Sequence, residues 1–216
     1  MGNKRVSIAE ATATLAGRDP VLDRLIDEAG PMRLRRSTMS HFGALVQAIV
    51  YQQLAGAAAS AIHGRLLAAL DGDPQPEPLL ALSDETLRTV GLSAAKVRSL
   101  RDLAAKVLDG TVVLNPRALG RQSDDEIVAR LSTVRGIGPW SAEMFLLFQL
   151  RRIDVWPVGD LGVRQGYALA WGIARPTPRE LEPLGDCFRP YRTILTWYCW
   201  RASELYAGAA DSALTR

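Results

Sequence analysis

Helix start and stop signals recur along most of the chain, and they constrain the fold more than any other feature of the sequence. A serine, threonine or asparagine stands at each predicted start, where its side chain can accept a hydrogen bond from a backbone N–H group of the first turn. Two of the starts have a glutamate three residues later, which completes a capping box. The starts lie at Ser83, Ser93, Asn115, Ser123 and Thr177, and terminating glycines lie at Gly91, Gly110 and Gly120.

Strand signals are nearly absent, and only Thr111–Leu114 has the composition of a short strand. We therefore predict an all-α fold of about ten short helices with short connections. The chain has 216 residues, which is enough for a substantial core, and we expect one domain, 1–216, made of two lobes. The proline-rich stretch Asp71–Pro78 cannot continue a helix, so we predict that the lobes join near 71–78.

Composition excludes several classes of protein. No segment approaches the roughly 20 apolar residues of a membrane span, and Met1–Arg18 lacks the apolar centre of a signal peptide, so a cytoplasmic location is the default expectation. With only two cysteines and two distant histidines, we expect no metal centre built from side chains. The net charge of +3 permits binding to nucleic acid without requiring it.

The most informative segment is Leu131–Leu150, in which two glycines interrupt an apolar helical pattern. Gly136 and Gly138 flank Ile137, so the chain can reverse tightly while Ile137 anchors the turn in the core. Pro139 then restarts a helix at its first turn. Backbone N–H groups at the start of such a helix can donate hydrogen bonds to a phosphate oxygen of DNA, and such contacts do not depend on the base sequence. Taken alone, the pattern also fits an ordinary turn between helices.

Four segments together resemble the helix-hairpin-helix DNA glycosylase superfamily. They are the hairpin Gly136–Ala142, the segment Trp156–Asp160, the helix and loop Phe42–Leu54, and the C-terminal residues Arg189–Arg192 with Trp197 and Tyr198. The last resembles the closing helix of the 3-methyladenine DNA glycosylase II branch. The resemblance implies a two-lobed helical fold with the active-site cleft between the lobes.

Departures from the family's pattern narrow the expected chemistry. Bifunctional members carry a Schiff-base lysine two residues after the second hairpin glycine, where this chain has Trp140. The four-cysteine cluster of the endonuclease III branch is missing. Only 41 residues precede Phe42 and they have helical character, so the chain resembles a short form without an N-terminal β lobe.

The resemblance implies a monofunctional glycosylase that flips alkylated purines, such as 3-methyladenine and 7-methylguanine, out of double-stranded DNA and hydrolyses the N-glycosidic bond. Asp160, 22 residues after Gly138, matches the catalytic aspartate. A carboxylate there stabilises the positive charge that develops on the sugar. The local sequence equally predicts that Asp160 is the N-cap of a helix over Leu161–Trp171, and the two roles are compatible.

The resemblance also assigns a substrate pocket. Trp140 and Trp197 match positions where aromatic rings stack on an electron-poor base, although tryptophans in this region also suit core packing. Met144 and Leu161 occupy positions where larger bacterial members have aromatic side chains. A less aromatic pocket would shift or narrow the substrate range.

Contacts to DNA are predicted at the wedge and at the hairpin. Leu54 matches the side chain that fills the gap left by the flipped base, and Gln53 is placed to bind neighbouring bases. Leu54 also fits an ordinary buried leucine. Several basic side chains could contact DNA phosphates or could equally be solvated surface charges: Arg135, Arg164, Lys96 and the run Arg33, Arg35 and Arg36.

Further expectations concern cofactors, oligomeric state and location. No cofactor is expected, although family resemblance allows a sodium or potassium ion on backbone carbonyls near Gly136 and Gly138. The protein is expected to act as a monomer, associated with the nucleoid if it is bacterial.

Three other functions remain open beside excision of alkylated purines. They are a glycosylase for other damaged or mismatched bases, a non-catalytic DNA-binding protein that keeps the hairpin, and a helical protein-interaction scaffold.

Overall fold

The computed structural model describes residues 6 to 213, which form thirteen α-helices and no β-strand. The helices are Ile8–Leu15 (α1), Pro20–Ala29 (α2), His41–Tyr51 (α3), Gly56–Ala68 (α4), Pro76–Ala81 (α5), Asp84–Thr89 (α6), Ala94–Leu108 (α7), Pro116–Leu119 (α8), Asp124–Leu131 (α9), Pro139–Met144 (α10), Leu161–Trp171 (α11), Pro178–Leu184 (α12) and Arg192–Ala213 (α13). A π-helical turn, Phe145–Gln149, continues α10, and a 3-10 turn, Asp186–Phe188, follows α12. The all-α prediction is confirmed, with Thr111–Leu114 irregular.

The predicted caps lie where the sequence placed them. Ser83, Ser93 and Asn115 cap α6, α7 and α8, each accepting a hydrogen bond from a backbone N–H group of the first turn. Ser123 and Thr177 form complete capping boxes at α9 and α12. Local side-chain chemistry thus determines where these helices begin. None of the helices in the described range has the length and apolar character needed to cross a membrane.

The described residues form two compact units, one from the residues up to Arg35 and from Leu150 onward and the other from residues 36–149. The predicted joint near 71–78 is therefore misplaced, because that segment lies within the second unit, from the loop after α4 into the first turn of α5. Pro74 and Pro76 are buried, and α5 begins at Pro76 and includes Pro78. A break in helical structure is thus not a break in packing. That residues 1–216 act as a single domain stays a prediction.

In the first unit, α13 packs against α11, α2 and α1. The core is aromatic: Tyr167 stacks on Trp171 with ring centroids 4.1 Å apart, and Trp156 and Phe188 meet this pair edge-on. The other buried members of this core are Ala11, Leu15, Leu22, Leu25, Met32, Val163, Ala170, Leu181, Ile194, Leu195, Tyr198, Cys199 and Ala202. This core holds the N-terminus of α11 against α13.

In the second unit, α7 packs against α3, α5 and α6, while α10 packs against α9. The buried face of α3 includes Phe42, Leu45, Val46 and Ile49, at the spacing expected of one helix face. These contacts place the end of α3 and the turn before α10 along α7.

Candidate functional site in two structural units

Asp160 is a buried carboxylate at the start of α11. The preceding turn is closed by a hydrogen bond from the Asp160 amide to the carbonyl of Pro157, at 2.9 Å. Asp160 is the N-cap, and its Oδ1 accepts a 2.8 Å bond from the Val163 amide. Only 8% of the residue is exposed. The predicted cap is confirmed, and it fixes the carboxylate to the helix that carries it.

A second donor reaches the same carboxylate oxygen from α13. The indole Nε1 of Trp200 donates to Asp160 Oδ1 at 3.0 Å. Next to Trp200, Cys199 is fully buried; burial raises the pKa of its thiol, and the Asp160 carboxylate raises it further, so the thiol stays protonated. Nothing in the sequence pattern distinguished Trp200 from the other tryptophans, and the sequence analysis missed it.

The other candidates in this unit have different surroundings. Leu161 is 59% exposed at the first position of α11. Trp197 is half-buried, meets the Tyr198 ring edge-on and carries the Arg201 guanidinium 6.0 Å from its ring centroid. Arg164, a predicted phosphate contact, donates from Nε to the Pro176 carbonyl at 2.7 Å. That bond ties α11 to the loop before α12, which gives Arg164 a structural role.

The hairpin of the second unit has the predicted geometry. Gly136 adopts φ +79°, a conformation that favours glycine, and an added Cβ would lie 2.7 Å from Ser99 Oγ. Ile137 is buried, whereas Gly136, Gly138 and Arg135 are exposed. Gly138 is the N-cap of α10, and Pro139 occupies its first turn. The turn is therefore anchored by one apolar side chain and presents its backbone to solvent.

Helix α7 braces this hairpin through an acidic side chain that the sequence analysis missed. Asp102 Oδ2 accepts 2.7 Å and 2.8 Å bonds from the Arg135 amide and from Lys106 Nζ. Lys106 Nζ also donates to the Thr133 carbonyl. Burial raises the pKa of Asp102, but these two donors lower it more, and the net shift is downward. The ionised carboxylate therefore fixes the backbone at Arg135, the residue before the hairpin turn.

The predicted wedge lies in the short connection between α3 and α4. Leu54 is 38% exposed, so it is not an ordinary buried leucine, and Gln53 is exposed with φ +54°. The preceding residue, Gln52, donates from Nε2 to the Gly136 carbonyl at 2.8 Å and joins the wedge to the hairpin. Lys96 donates to the Val50 carbonyl near the end of α3, and its predicted phosphate contact stays a prediction.

Two pocket candidates lie on α10. Trp140 is 49% exposed in the first turn, and Met144 is half-buried at the last position. They are four residues apart and so lie on one face of the helix. The basic run Arg33, Arg35 and Arg36 is exposed, in a segment without helix.

The hairpin carbonyls can be tested for the alkali cation that the family resemblance allows. The Gly136 carbonyl accepts from Gln52, and the Gly138 carbonyl accepts from the Ala142 amide at 3.1 Å. A carbonyl oxygen has two lone pairs, so each retains one. Each carbonyl can therefore still accept a cation, and binding of one stays a prediction.

Replacing Asp102 by asparagine is expected to lower the melting temperature by about 2–4 °C at pH 7, since roughly 1 kcal/mol of hydrogen bonding is lost. The pKa of Asp102 is lower in the folded state than in the unfolded state, so the ionised carboxylate stabilises the fold at pH values above the unfolded-state pKa. This stabilisation is lost as the pH falls through the folded-state pKa. The difference between parent and variant should therefore shrink below about pH 4.

Thermal melts at pH 7 and pH 3 measure this difference, with Asp27→Asn, an exposed carboxylate on α2, as the control. A difference of the same size at both pH values would contradict the role given to the ionised Asp102.

Comparisons with known proteins agree with this geometry. A family model described as HhH-GPD superfamily base excision DNA repair protein matches residues 46–188. DNA-3-methyladenine glycosylase 1 of Schizosaccharomyces pombe is 33% identical over 204 residues, which cover 92% of this chain and 89% of the relative.

Two solved structures resemble the whole fold. The S. pombe 3-methyladenine DNA glycosylase Mag1 in complex with abasic DNA has a TM-score of 0.78 at 33% identity, covering 90% of this chain and 97% of that one. A DNA-3-methyladenine glycosidase from Bacillus halodurans has a TM-score of 0.84 at 34% identity, covering 92% of this chain and 91% of that one.

Proposed function

Since the chain belongs to the HhH-GPD superfamily of base excision DNA repair proteins, we propose that it is a monofunctional glycosylase that excises alkylated purines from DNA. The observation that carries this proposal is the buried Asp160 carboxylate, held at the start of α11 by bonds from two helices. Relatives named DNA-3-methyladenine glycosylase support the choice of base.

The proposed chemistry is cleavage of the bond between the base and C1′ of deoxyribose. Positive charge develops on the sugar as the base departs, and a fixed carboxylate stabilises that charge without reorganising. Asp160 would also orient or deprotonate the attacking water. A purine alkylated at N3 or N7 is cationic and leaves as a neutral base, so no second acidic group is needed to protonate it.

Hydrolysis, rather than lyase chemistry, follows from the residue after Pro139. A Schiff base needs an amine, and the family's lysine position holds Trp140, whose exposed ring instead offers a stacking face. The side chains proposed to contact the flipped base are Trp140 and Met144 in the second unit and Trp197 and Leu161 in the first. Met144 and Leu161 stand where larger bacterial members have aromatic side chains, which favours a shifted or narrowed substrate range as the second candidate function.

The proposed partner is double-stranded DNA containing a damaged base. The hairpin turn from Arg135 to Gly138 would hold a phosphate through its backbone, and Leu54 would enter the stack beside Gln53. The Gln52 bond to Gly136 supports the joint action of these two elements, because it ties the wedge to the phosphate-binding turn. We propose that the enzyme works as a monomer, in the compartment that holds the DNA.

Base release from methylated DNA tests the proposal, with chromatography of the freed bases and gel analysis of the DNA strand. We expect release of 3-methyladenine or 7-methylguanine, with strand breaks appearing only after alkali treatment. Strand breaks without alkali would indicate a lyase. Release only from oligonucleotides carrying oxidised, deaminated or mismatched bases would move the assignment to the second candidate, and DNA binding without any release would leave the non-catalytic alternative.

A further inference from the structure

The bond between Trp200 and Asp160 is more than helix capping requires. The Val163 amide already satisfies the cap, as at other helix starts of this chain. The indole of Trp200 adds a donor from another helix, 40 residues away in sequence, and it converges on the same oxygen, Oδ1. Carboxylate groups rotate broadly about their last side-chain torsion, and a second fixed donor on one oxygen restricts that rotation.

The surroundings hold the indole in this position. A Cβ added at Gly162 would lie 3.1 Å from Trp200 Cδ1 and 3.4 Å from Nε1, so the indole edge lies directly on the first turn of α11. Below it, the close crossing of α11 and α13 at Gly166 and Cys199 fixes the distance between the two helices. The packing of α11 against α13 therefore fixes the position of the Trp200 indole N–H group.

A second aspartate provides a contrast within the same unit. Asp19 caps α2 through Oδ1, which accepts from Val21 and Leu22, while the indole of Trp171 donates to the other oxygen, Oδ2. There the cap and the indole use different oxygens. At Asp160 the two bonds converge on one oxygen, Oδ1, so the cap and the indole hold the same end of the carboxylate.

We propose that Trp200 is a positioning residue that orients the Asp160 carboxylate for base excision. The inference rests on the proposed function, since it assumes that Asp160 acts on the sugar. Trp200 acts through Asp160 and need not touch the DNA. Its loss should therefore slow the chemical step and leave DNA affinity nearly unchanged.

The test compares Trp200→Phe with Trp200→His in single-turnover base release at pH 8. Phenylalanine keeps a ring but removes the donor, whereas the histidine Nε2 stands the same number of bonds from the backbone as the indole Nε1. At pH 8 the imidazole is neutral and can still donate. We expect the phenylalanine variant to react about tenfold more slowly, with DNA affinity within about twofold of the parent, and the histidine variant to recover most of the rate.

The matched control is Trp171→Phe, which removes the corresponding indole bond to Asp19. This variant should lose similar stability in a thermal melt and keep the parent rate. In an Asp160→Asn background, Trp200→Phe should cause no further loss of rate.

Three results would overturn the inference. The first is a phenylalanine variant that reacts within twofold of the parent. The second is a histidine variant as slow as the phenylalanine variant. The third is a Trp171→Phe loss as large as that of Trp200→Phe. Failure of the premise looks different: in that case Asp160→Asn itself keeps the parent rate, or the parent releases no base, and both proposals fall.

Discussion

Replacing Asp160 by asparagine is expected to slow base excision by about 100- to 1000-fold, which is the usual cost of removing one preorganised electrostatic group. Asparagine caps a helix about as well as aspartate, so α11 should still begin at the same residue. What disappears is the negative charge that opposes the positive charge on the sugar. Single-turnover release of methylated purines measures the rate, and binding to abasic DNA measures the affinity, which should persist.

The matched control is Asp19→Asn, which changes a second N-cap aspartate that also accepts an indole bond. It should react as the parent does but melt slightly lower, because the amide nitrogen that replaces Oδ2 cannot accept the Trp171 bond. An Asp160→Asn enzyme with more than a tenth of the parent rate would remove Asp160 from the chemistry, and a variant that no longer binds DNA would show that the loss lies in binding.

Replacing Gly166 by alanine is expected to cause the largest loss of stability. The added Cβ would lie 1.6 Å from the Cys199 carbonyl oxygen, which is backbone and cannot rotate away. Helices α11 and α13 would have to separate, and overpacking of this severity costs about 3 kcal/mol or more. For a chain of this size we expect the melting temperature to fall by roughly 6–12 °C.

Gly64 provides the control, because it lies within α4 and nothing stands within 4 Å of its added Cβ. Gly64→Ala should leave the melting temperature unchanged or raise it slightly, by the equivalent of about 0.4–1 kcal/mol. If Gly166→Ala melted within about 2 °C of the parent, the close helix crossing would not exist in solution. Its base-excision rate should fall as well, since α11 carries Asp160 and α13 carries Trp200.

The arrangement of helices was predictable where the signal is local. Ser123 and Thr177 cap α9 and α12 by hydrogen bonds with residues three positions away. Such bonds depend only on residues close in sequence, so the sequence predicts them. The same holds for the turn at Gly136 and for Asp160 as the N-cap of α11. Family resemblance then supplied a role for these residues, which spacing alone left open.

Only the tertiary structure decided the long-range bonds. An indole N–H group is the same in every tryptophan, so nothing marks Trp200 as the one that meets Asp160 until α11 and α13 pack. The bonds from Gln52 to Gly136 and from Arg135 to Asp102 likewise join residues far apart in sequence.

Basic residues show the same division between sequence and structure. Arg164 and Lys96 are predicted as phosphate contacts because they are basic, and only the tertiary structure shows that each also donates to a backbone carbonyl. The joint near 71–78 was misplaced because the prolines there begin a packed helix, α5, within the second unit. Local chemistry therefore determined where the helices begin and which backbone turn is exposed, whereas packing decided which side chains meet, because each such contact depends on the positions of two distant segments.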